Sequence, residues 1–141
     1  MPDVTTLIEQ DHREVEGLFA QFKQTSDTSI VEKICEELER HTAGEEQAVY
    51  PVVAGEVPGG KQLSDEAVGE HKEARQLIGR IKNTKDADHL SALVTELEQA
   101  IQHHVQEEES ELLPKTRQAL DPARLDQMGS EFEAAKQRVD A

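Results

Sequence analysis

The sequence has one cysteine, no tryptophan, one tyrosine and three phenylalanines in 141 residues. A lone Cys35 cannot close an internal disulfide, so nothing ties the chain to an oxidising compartment and its core alone must hold it together. Aromatics at 3% leave an aliphatic core and a composition suited to helices, which sets aside a β-sandwich. Basic residues are scarce too: 15 Lys and Arg face 30 Asp and Glu, a formal charge of -15. That field repels phosphate backbones and anionic lipid and concentrates divalent cations, so neither nucleic acid nor a membrane surface is an expected partner. No stretch of 18 apolar residues and no N-terminal apolar segment occurs, and the expected location is cytoplasmic. What remains is 35% apolar and 32% charged residues, in a length that makes one domain with a sizeable core.

Polar stretches punctuate the chain at Thr25 to Ser29, at Ala54 to Ser64 with its Pro58-Gly59-Gly60, at Asn83 to Asp88 and at Asp121-Pro122. Between them the apolar residues repeat at helical spacing. A first helix from Val4 to Lys23 aligns Ile8, Val15, Phe19 and Phe22, with His12 inside the stripe. A second, Ile30 to Val53, aligns Val31, Ile34, Leu38, Ala48 and Val52, and His41 and Glu45 fill its missing positions. A third, Asp65 to Lys82, starts at Ser64-Asp65-Glu66 and carries Ala67, Ala74, Ile78 and Ile81 around His71. A fourth, His89 to Gln118, carries Leu90, Val94, Leu97, Ile101 and Leu112, with His104 and Glu108 on the missing rungs. A fifth begins at Asp121-Pro122, an N-cap with proline at the first helical position, and offers Leu125, Met128, Phe132, Ala135 and Val139. Short connections favour antiparallel neighbours. The expected fold is all-α: an up-down-up-down antiparallel four-helix bundle over residues 1–118, with an additional C-terminal helix over 119–141 packed on or flanking it.

The chain also repeats itself. Asp11-His12-Arg13-Glu14 matches Glu70-His71-Lys72-Glu73 at an offset of 59. Ile34, Leu38, His41, Glu45, Glu46, Val49 and Pro51 match Leu97, Ile101, His104, Glu108, Glu109, Leu112 and Pro114 at an offset of 63. Two copies of one helical hairpin therefore keep the same polar intrusions in an aliphatic seam. His12 lies about as far from the end of its helix as His41 lies from the start of the next, so an antiparallel hairpin sets them at one level, and His71 and His104 follow suit within a turn. His-x-x-x-Glu sets both side chains on one helix face.

A single buried His is most often an ordinary hydrogen-bonded core residue. Two buried carboxylates are harder to accommodate, because each unpaired one costs several kcal/mol and no Lys or Arg occupies the seam. Bound cations remove that cost. Imidazole and carboxylate without thiolate suit iron, manganese or zinc, and six side chains exceed one four-coordinate zinc but match two ions. The expected metal ligands are His12, His41, Glu45, His71, His104 and Glu108.

These residues resemble the hemerythrin-like family, the haemerythrin HHE cation-binding domain, over residues 4–118. The resemblance rests on Asp11-His12 before Leu18-Phe19, His41 with Glu45-Glu46 ending in Val49-Tyr50-Pro51, Glu70-His71, and His104 with Glu108-Glu109 ending in Leu112-Leu113-Pro114. It implies two iron ions, oxo- or hydroxo-bridged, with Glu45 and Glu108 as bridging carboxylates and the four His as terminal ligands. It also implies a small diatomic or peroxide ligand. Oxygen-carrying hemerythrins have a fifth His one turn after the His of their third helix, where this chain has Arg75, which stays protonated and cannot ligate. Open coordination positions shift the expectation from reversible dioxygen carriage toward peroxide and nitric oxide. Two functions follow: a non-haem di-iron protein that binds O2, NO or peroxide, whose sensing would need a separate protein partner, or a di-iron enzyme with catalase-like or peroxide- or NO-reducing activity.

Neighbouring residues are assigned as follows. Glu16, one turn from His12, is an extra ligand, an acceptor for a ligand N–H, or a solvated side chain. Tyr50, nine residues after His41, points about 180° away around a regular helix and is expected to pack near Pro51. His103 is turned off the seam, His89 has no role, and Glu46, Glu107, Glu109 and Glu111 form an acidic face whose default is solvation and whose alternative is to assist iron entry. Gly44 makes room at the metal or allows a local distortion, and Cys35 is a small buried apolar residue.

Overall fold

The computed structural model describes residues 2–139; Met1, Asp140 and Ala141 lie outside the described residues, the last two closing the expected C-terminal segment. It is all helical among the described residues. Helix α1 (Val4–Thr25) is capped by Asp3, whose carboxylate accepts from the backbone N–H groups of Thr5 (2.8 Å) and Thr6 (3.1 Å). Ser26 stops it in the left-handed region, and Asp27 at once caps α2 (Thr28–Ala48). So short a connection brings α2 back along α1.

The second expected helix, Ile30 to Val53, is two. Val49 departs from helical geometry (φ -116°, ψ -60°) and the chain restarts as α3 (Tyr50–Glu56). Pro51 has no N–H to give the carbonyl four residues earlier, which loosens the helix at this point. Pro114 acts on the second hairpin in the same way. There α5 (Ala87–Glu107) runs into a π-helical turn over Glu108–Leu112, where the Leu113 N–H bonds the Glu108 carbonyl, and resumes as α6 (Leu113–Ala119). Helix α4 (Gly60–Asn83) begins before Ser64, earlier than expected. Gly59 takes a left-handed turn, and Gly60 lies so close to α3 that a Cβ there would sit 1.9 Å from the Val53 carbonyl oxygen. Ser64 therefore caps nothing, and its hydroxyl donates to the Tyr50 carbonyl (3.2 Å). Helix α7 (Pro122–Arg138) starts at the expected Asp121-Pro122 cap and packs across α2 and α1.

Two aliphatic clusters form the core. One holds Val15, Phe19, Ile34, Leu38, Ile78 and Leu97; the other holds Ile8, Val49, Val53, Leu113, Met128 and Phe132. Each such buried side chain contributes about 1.5–3 kcal/mol. His12 falls between Ile8 and Val15, His41 between Leu38 and Ala48, His71 between Ala67 and Ala74, and His104 between Ile101 and Leu112. Each of α1, α2, α4 and α5 thus passes between the two clusters beside a histidine, which fixes one polar layer between two apolar ones. No helix among the described residues is long and apolar enough to cross a membrane.

Candidate metal centre

All six expected ligand residues meet in that layer, none more than 6% exposed. His12 and His41 face each other from α1 and α2 with ring centroids 5.1 Å apart, and His71 and His104 from α4 and α5 at 4.8 Å. Glu45 and Glu108 lie between the pairs. Glu45 Oε1 is 3.1 Å from His41 Nε2 and 3.0 Å from His71 Nε2; Glu108 approaches His12 Nε2 at 3.1 Å and His104 Nε2 at 3.3 Å. Two sets of four ligand atoms result, one from His12 and His41 and one from His71 and His104, and both include Glu45 and Glu108.

The other ring nitrogen of each histidine is also engaged. Nδ1–H donates from His12 to Glu109 (2.6 Å), from His41 to Asp11 (2.8 Å), from His71 to Glu46 (2.6 Å) and from His104 to Glu70 (2.7 Å). An ionised carboxylate only accepts, so the proton sits on Nδ1 and the Nε2 lone pair points inward. There it meets carboxylate oxygens that are acceptors as well. His12 Nε2, His41 Nε2, Glu45 Oε2 and Glu108 Oε1 are buried without a hydrogen-bond partner, and the short approaches of His12 and His41 to the carboxylates lack hydrogen-bond geometry. Acceptors crowded against acceptors repel unless positive charge lies between them. Metal cations fit this donor set; six lone-pair donors with fixed tautomers are what divalent or trivalent iron, manganese or zinc coordinate.

Electrostatics within the protein points the same way. Burial disfavours the His41 cation, yet the Glu45 charge and the Asp11 hydrogen bond outweigh it and push His41 up to about 10. Burial likewise opposes and Glu108 favours the charged form of His104, which is raised well above its usual value. Burial raises Glu45, but His41 and the surrounding hydrogen bonds prevail and hold it well below the carboxylate range. Around His41 and His104 the layer attracts positive charge, proton or metal, and ligation requires these two imidazoles to exchange the first for the second.

Several residues lie where the sequence did not put them. Tyr50 points into the layer, not away from it: its hydroxyl touches Glu108 Oε2, Glu45 Oε1 (3.0 Å), His71 Nε2 (3.1 Å) and His104 Nε2 (3.5 Å). The rule of 100° per residue fails across the break at Val49. Burial and the charges of Glu108 and Glu45 raise Tyr50 well above its usual value and keep it a phenol. Glu46 and Glu109 are not a solvated face; they hold His71 and His12, and Arg75 (2.6 Å) and Arg13 brace them from outside. Gly44 makes room for Phe132, since a Cβ there would lie 2.8 Å from its ring. Asp11 and Glu70, part of the repeat but given no role, orient His41 and His104. Their pairing with histidines of another helix was visible only as matched acidic positions in the two copies. Glu16 pairs with Arg13 (3.3 Å) at the surface, and His103 is exposed beside Glu70 and Glu107.

Above the layer a cavity with about 20 Å3 open to a water-sized molecule is walled by Val15, Leu38, Ala74, Ile101 and Val105 and floored by the four histidines. It admits one or two water-sized groups.

Comparison with known proteins agrees with this centre. The profile of the Hemerythrin HHE cation binding domain matches residues 3–116. A DNA nickase of Nostoc sp. is 28% identical over 97% of this chain, which spans only 40% of that protein. An uncharacterized hemerythrin-like protein of Schizosaccharomyces pombe is 27% identical over 99% of this chain and 71% of its own length. No solved structure gave a match. A family profile spanning most of the sequence and a buried His and Glu layer that suits a cation lead to one assignment: the chain belongs to the hemerythrin HHE cation-binding family.

Proposed function

We propose that the chain is a non-haem di-iron protein that binds dioxygen, nitric oxide or peroxide, within an up-down-up-down bundle over residues 1–118 that the C-terminal helix flanks. His12 and His41 would hold one ion, His71 and His104 the other, and Glu45 and Glu108 both. The observation that carries this is the pair of ligand sets sharing two buried carboxylates, in which His12 Nε2, His41 Nε2, Glu45 Oε2 and Glu108 Oε1 find no hydrogen-bond partner among the described residues. When bound, such ions supply exchangeable positions and a change of oxidation state. The chain's own part is to fix the tautomers through Asp11, Glu46, Glu70 and Glu109, to keep water out with the two aliphatic clusters, and to restrict the ligand by the small cavity. Net charge of -15 argues against nucleic acid and membrane surfaces, so the nicking activity named for the Nostoc relative is not carried over, and the lone thiol suits the cytoplasm. Iron near two per chain, with charge-transfer bands beyond the protein's own absorption, is the expected result for purified protein. Iron-free, colourless protein that takes up none when offered it ends the proposal.

A second reading, an enzyme that disproportionates peroxide or reduces peroxide or nitric oxide, is favoured by Tyr50. Its hydroxyl holds a proton against both shared carboxylates, at hydrogen-bond distance from the His71 and His104 side of the layer. Oxygen evolution from peroxide that falls in Tyr50→Phe at unchanged iron content supports it. Iron-loaded protein without any turnover leaves the binding reading alone.

A further inference from the structure

The second hairpin carries a feature that the first lacks. A crevice with about 50 Å3 open to a water-sized molecule lies between α4 and the π-helical turn, lined by Glu66, Glu70, Glu107, Glu111 and Leu112, and reaches Glu108. Glu108 is 2% exposed and closes the crevice from within, its Oε1 3.1 Å from His12 Nε2 and its Oε2 3.3 Å from His104 Nε2. Beside the crevice, from the adjoining groove that shares Glu70 with it, His103 Nε2 lies 3.0 Å from Glu107 Oε1 and 3.4 Å from Glu70 Oε2, so the three residues present ligand atoms to a common point. Side-chain exposure falls from 64% at His103 to 45% at Glu107, 19% at Glu70 and 1% at Glu108. Glu70 belongs to both ends of this gradient, because its other oxygen accepts from His104 at 2.7 Å.

The repeat shows that this character is specific to one half. The positions matching Glu66, His103, Glu107 and Glu111 at the offsets of 59 and 63 are Leu7, Arg40, Gly44 and Ala48, and α7 lies over this side: Gly129 approaches Leu7, Phe132 packs on Gly44, and Lys136 binds Asp11 (2.9 Å), the counterpart of Glu70. One half is sealed by an apolar and basic cover, and the other is open and acidic.

We propose that this crevice is the loading port of the centre: a divalent metal cation is first captured by His103, Glu107 and Glu70 and then passes down the carboxylates to Glu108. The proposal rests on the reading of the layer as a metal centre. A cleft lined by one sign of charge raises on-rates for its counter-ion by about 10- to 1,000-fold, and neutralising its mouth removes that gain.

The chain supplies its own probe, since Tyr50 is its only tyrosine and no tryptophan masks it. Metal-stripped full-length protein is mixed with Co2+ at low ionic strength, and quenching of Tyr50 fluorescence is followed by stopped flow. The triple variant Glu66→Gln, Glu107→Gln, Glu111→Gln is expected to load about tenfold more slowly and to reach the same final metal content. A remote control of equal charge change, Glu32→Gln, Glu36→Gln, Glu131→Gln, is expected to load within about twofold of the parent. Extraction of metal from as-purified protein by a chelator, which needs no stripped state, slows in the port variant as well. Port and control variants with equal rates overturn the port while leaving the metal centre intact. A parent protein that binds no metal at equilibrium overturns the centre itself.

Discussion

Each hairpin presents two histidines and one glutamate at the same depth, yet their surroundings differ on every side. In the first, α7 lies over the layer: the Phe132 ring meets His41 edge-on at 5.7 Å, and Lys136 holds Asp11, which holds His41. In the second nothing comparable covers Glu70 among the described residues, and the crevice beside it is acidic. After the shared glutamate the first hairpin breaks and turns Tyr50 inward, whereas the second winds into a π-turn and puts Leu113, the matching residue, into the apolar core. A duplicated hairpin must keep what points into the common layer, because each ligand set needs both halves. What points outward was free to become a cover on one side and an entrance on the other.

The orienting carboxylates bind the halves together more tightly than the ligands alone would. Glu46 follows Glu45 in the first hairpin but orients His71 of the second; Glu109 follows Glu108 in the second but orients His12 of the first. Asp11 and Glu70 act within their own hairpins. Loss of a shared carboxylate should therefore be the most damaging single change and should not respect the division into halves. Glu45→Ala and Glu108→Ala are expected to lower iron from about two per chain to one or fewer, by elemental analysis. His12→Ala and His71→Ala should each spare the other ion. Unchanged iron content in Glu108→Ala removes it as a shared ligand, and a larger loss from the His variants than from the Glu variants contradicts the sharing.

Phe132→Ala tests the cover. Removing a fully buried phenylalanine costs about 3–5 kcal/mol, here with a void over both Gly44 and His41. Urea unfolding should show that loss, and the metal held by His12 and His41 should become the more labile of the two. A loss under about 1 kcal/mol means that α7 is a loose flank and not a wall of the centre.

The legible part of this molecule was the part written in periodicity. Six polar residues interrupting aliphatic stripes, twice over, located the layer before any helix was placed, because a regular helix converts spacing into direction. Tyr50 escapes for the same reason: a direction counted along a regular helix does not carry past Val49, where the regular helix ends. Pro51 and Pro114 were the available signals, since each strips a hydrogen bond from the turn carrying the shared glutamate. Glu46 and Glu109 escaped because they sit one residue off the seam, and a glutamate arm is long enough to reach the neighbouring helix from there. Their repetition beside the ligands, like that of Asp11 and Glu70, was the clue. The role of Gly44 depended on Phe132, 88 residues later in the chain, and no local pattern relates the two.

A smaller effect should separate the two within-hairpin carboxylates. Asp11→Asn and Glu70→Gln each keep the shape and remove the charge that fixes a histidine, and changes of this kind cost about 10- to 100-fold in metal affinity. Asp11 is already neutralised in part by Lys136, which shares its charge (2.9 Å). Among the described residues Glu70 pairs with no Lys or Arg; its partners are His103, His104 and Glu107. Glu70→Gln should thus weaken metal binding more than Asp11→Asn in competition with a chelator. The reverse order implies that α7 strengthens Asp11 instead of drawing on it.

The smallest difference lies far from the layer, at a position where the copies have parted company. Cys35 matches Glu98 at the offset of 63; Glu98 pairs with Lys23 at 2.7 Å, while Cys35 is buried among Val31, Ile34 and Leu38. Burial pushes the Cys35 thiol from 9.0 up to about 11. The unfolded chain then releases this proton at lower pH than the folded one, so it binds fewer protons between those values and stability falls as pH rises through the window. At pH 10, midway between, the linkage amounts to about 1.4 kcal/mol. Urea unfolding at pH 8 and pH 10 should show that much extra loss in the parent over Cys35→Ala, where the thiol cannot titrate. Equal losses in the two proteins would mean that the thiol reaches water as easily folded as unfolded, and that the first hairpin is no better sealed here than the second.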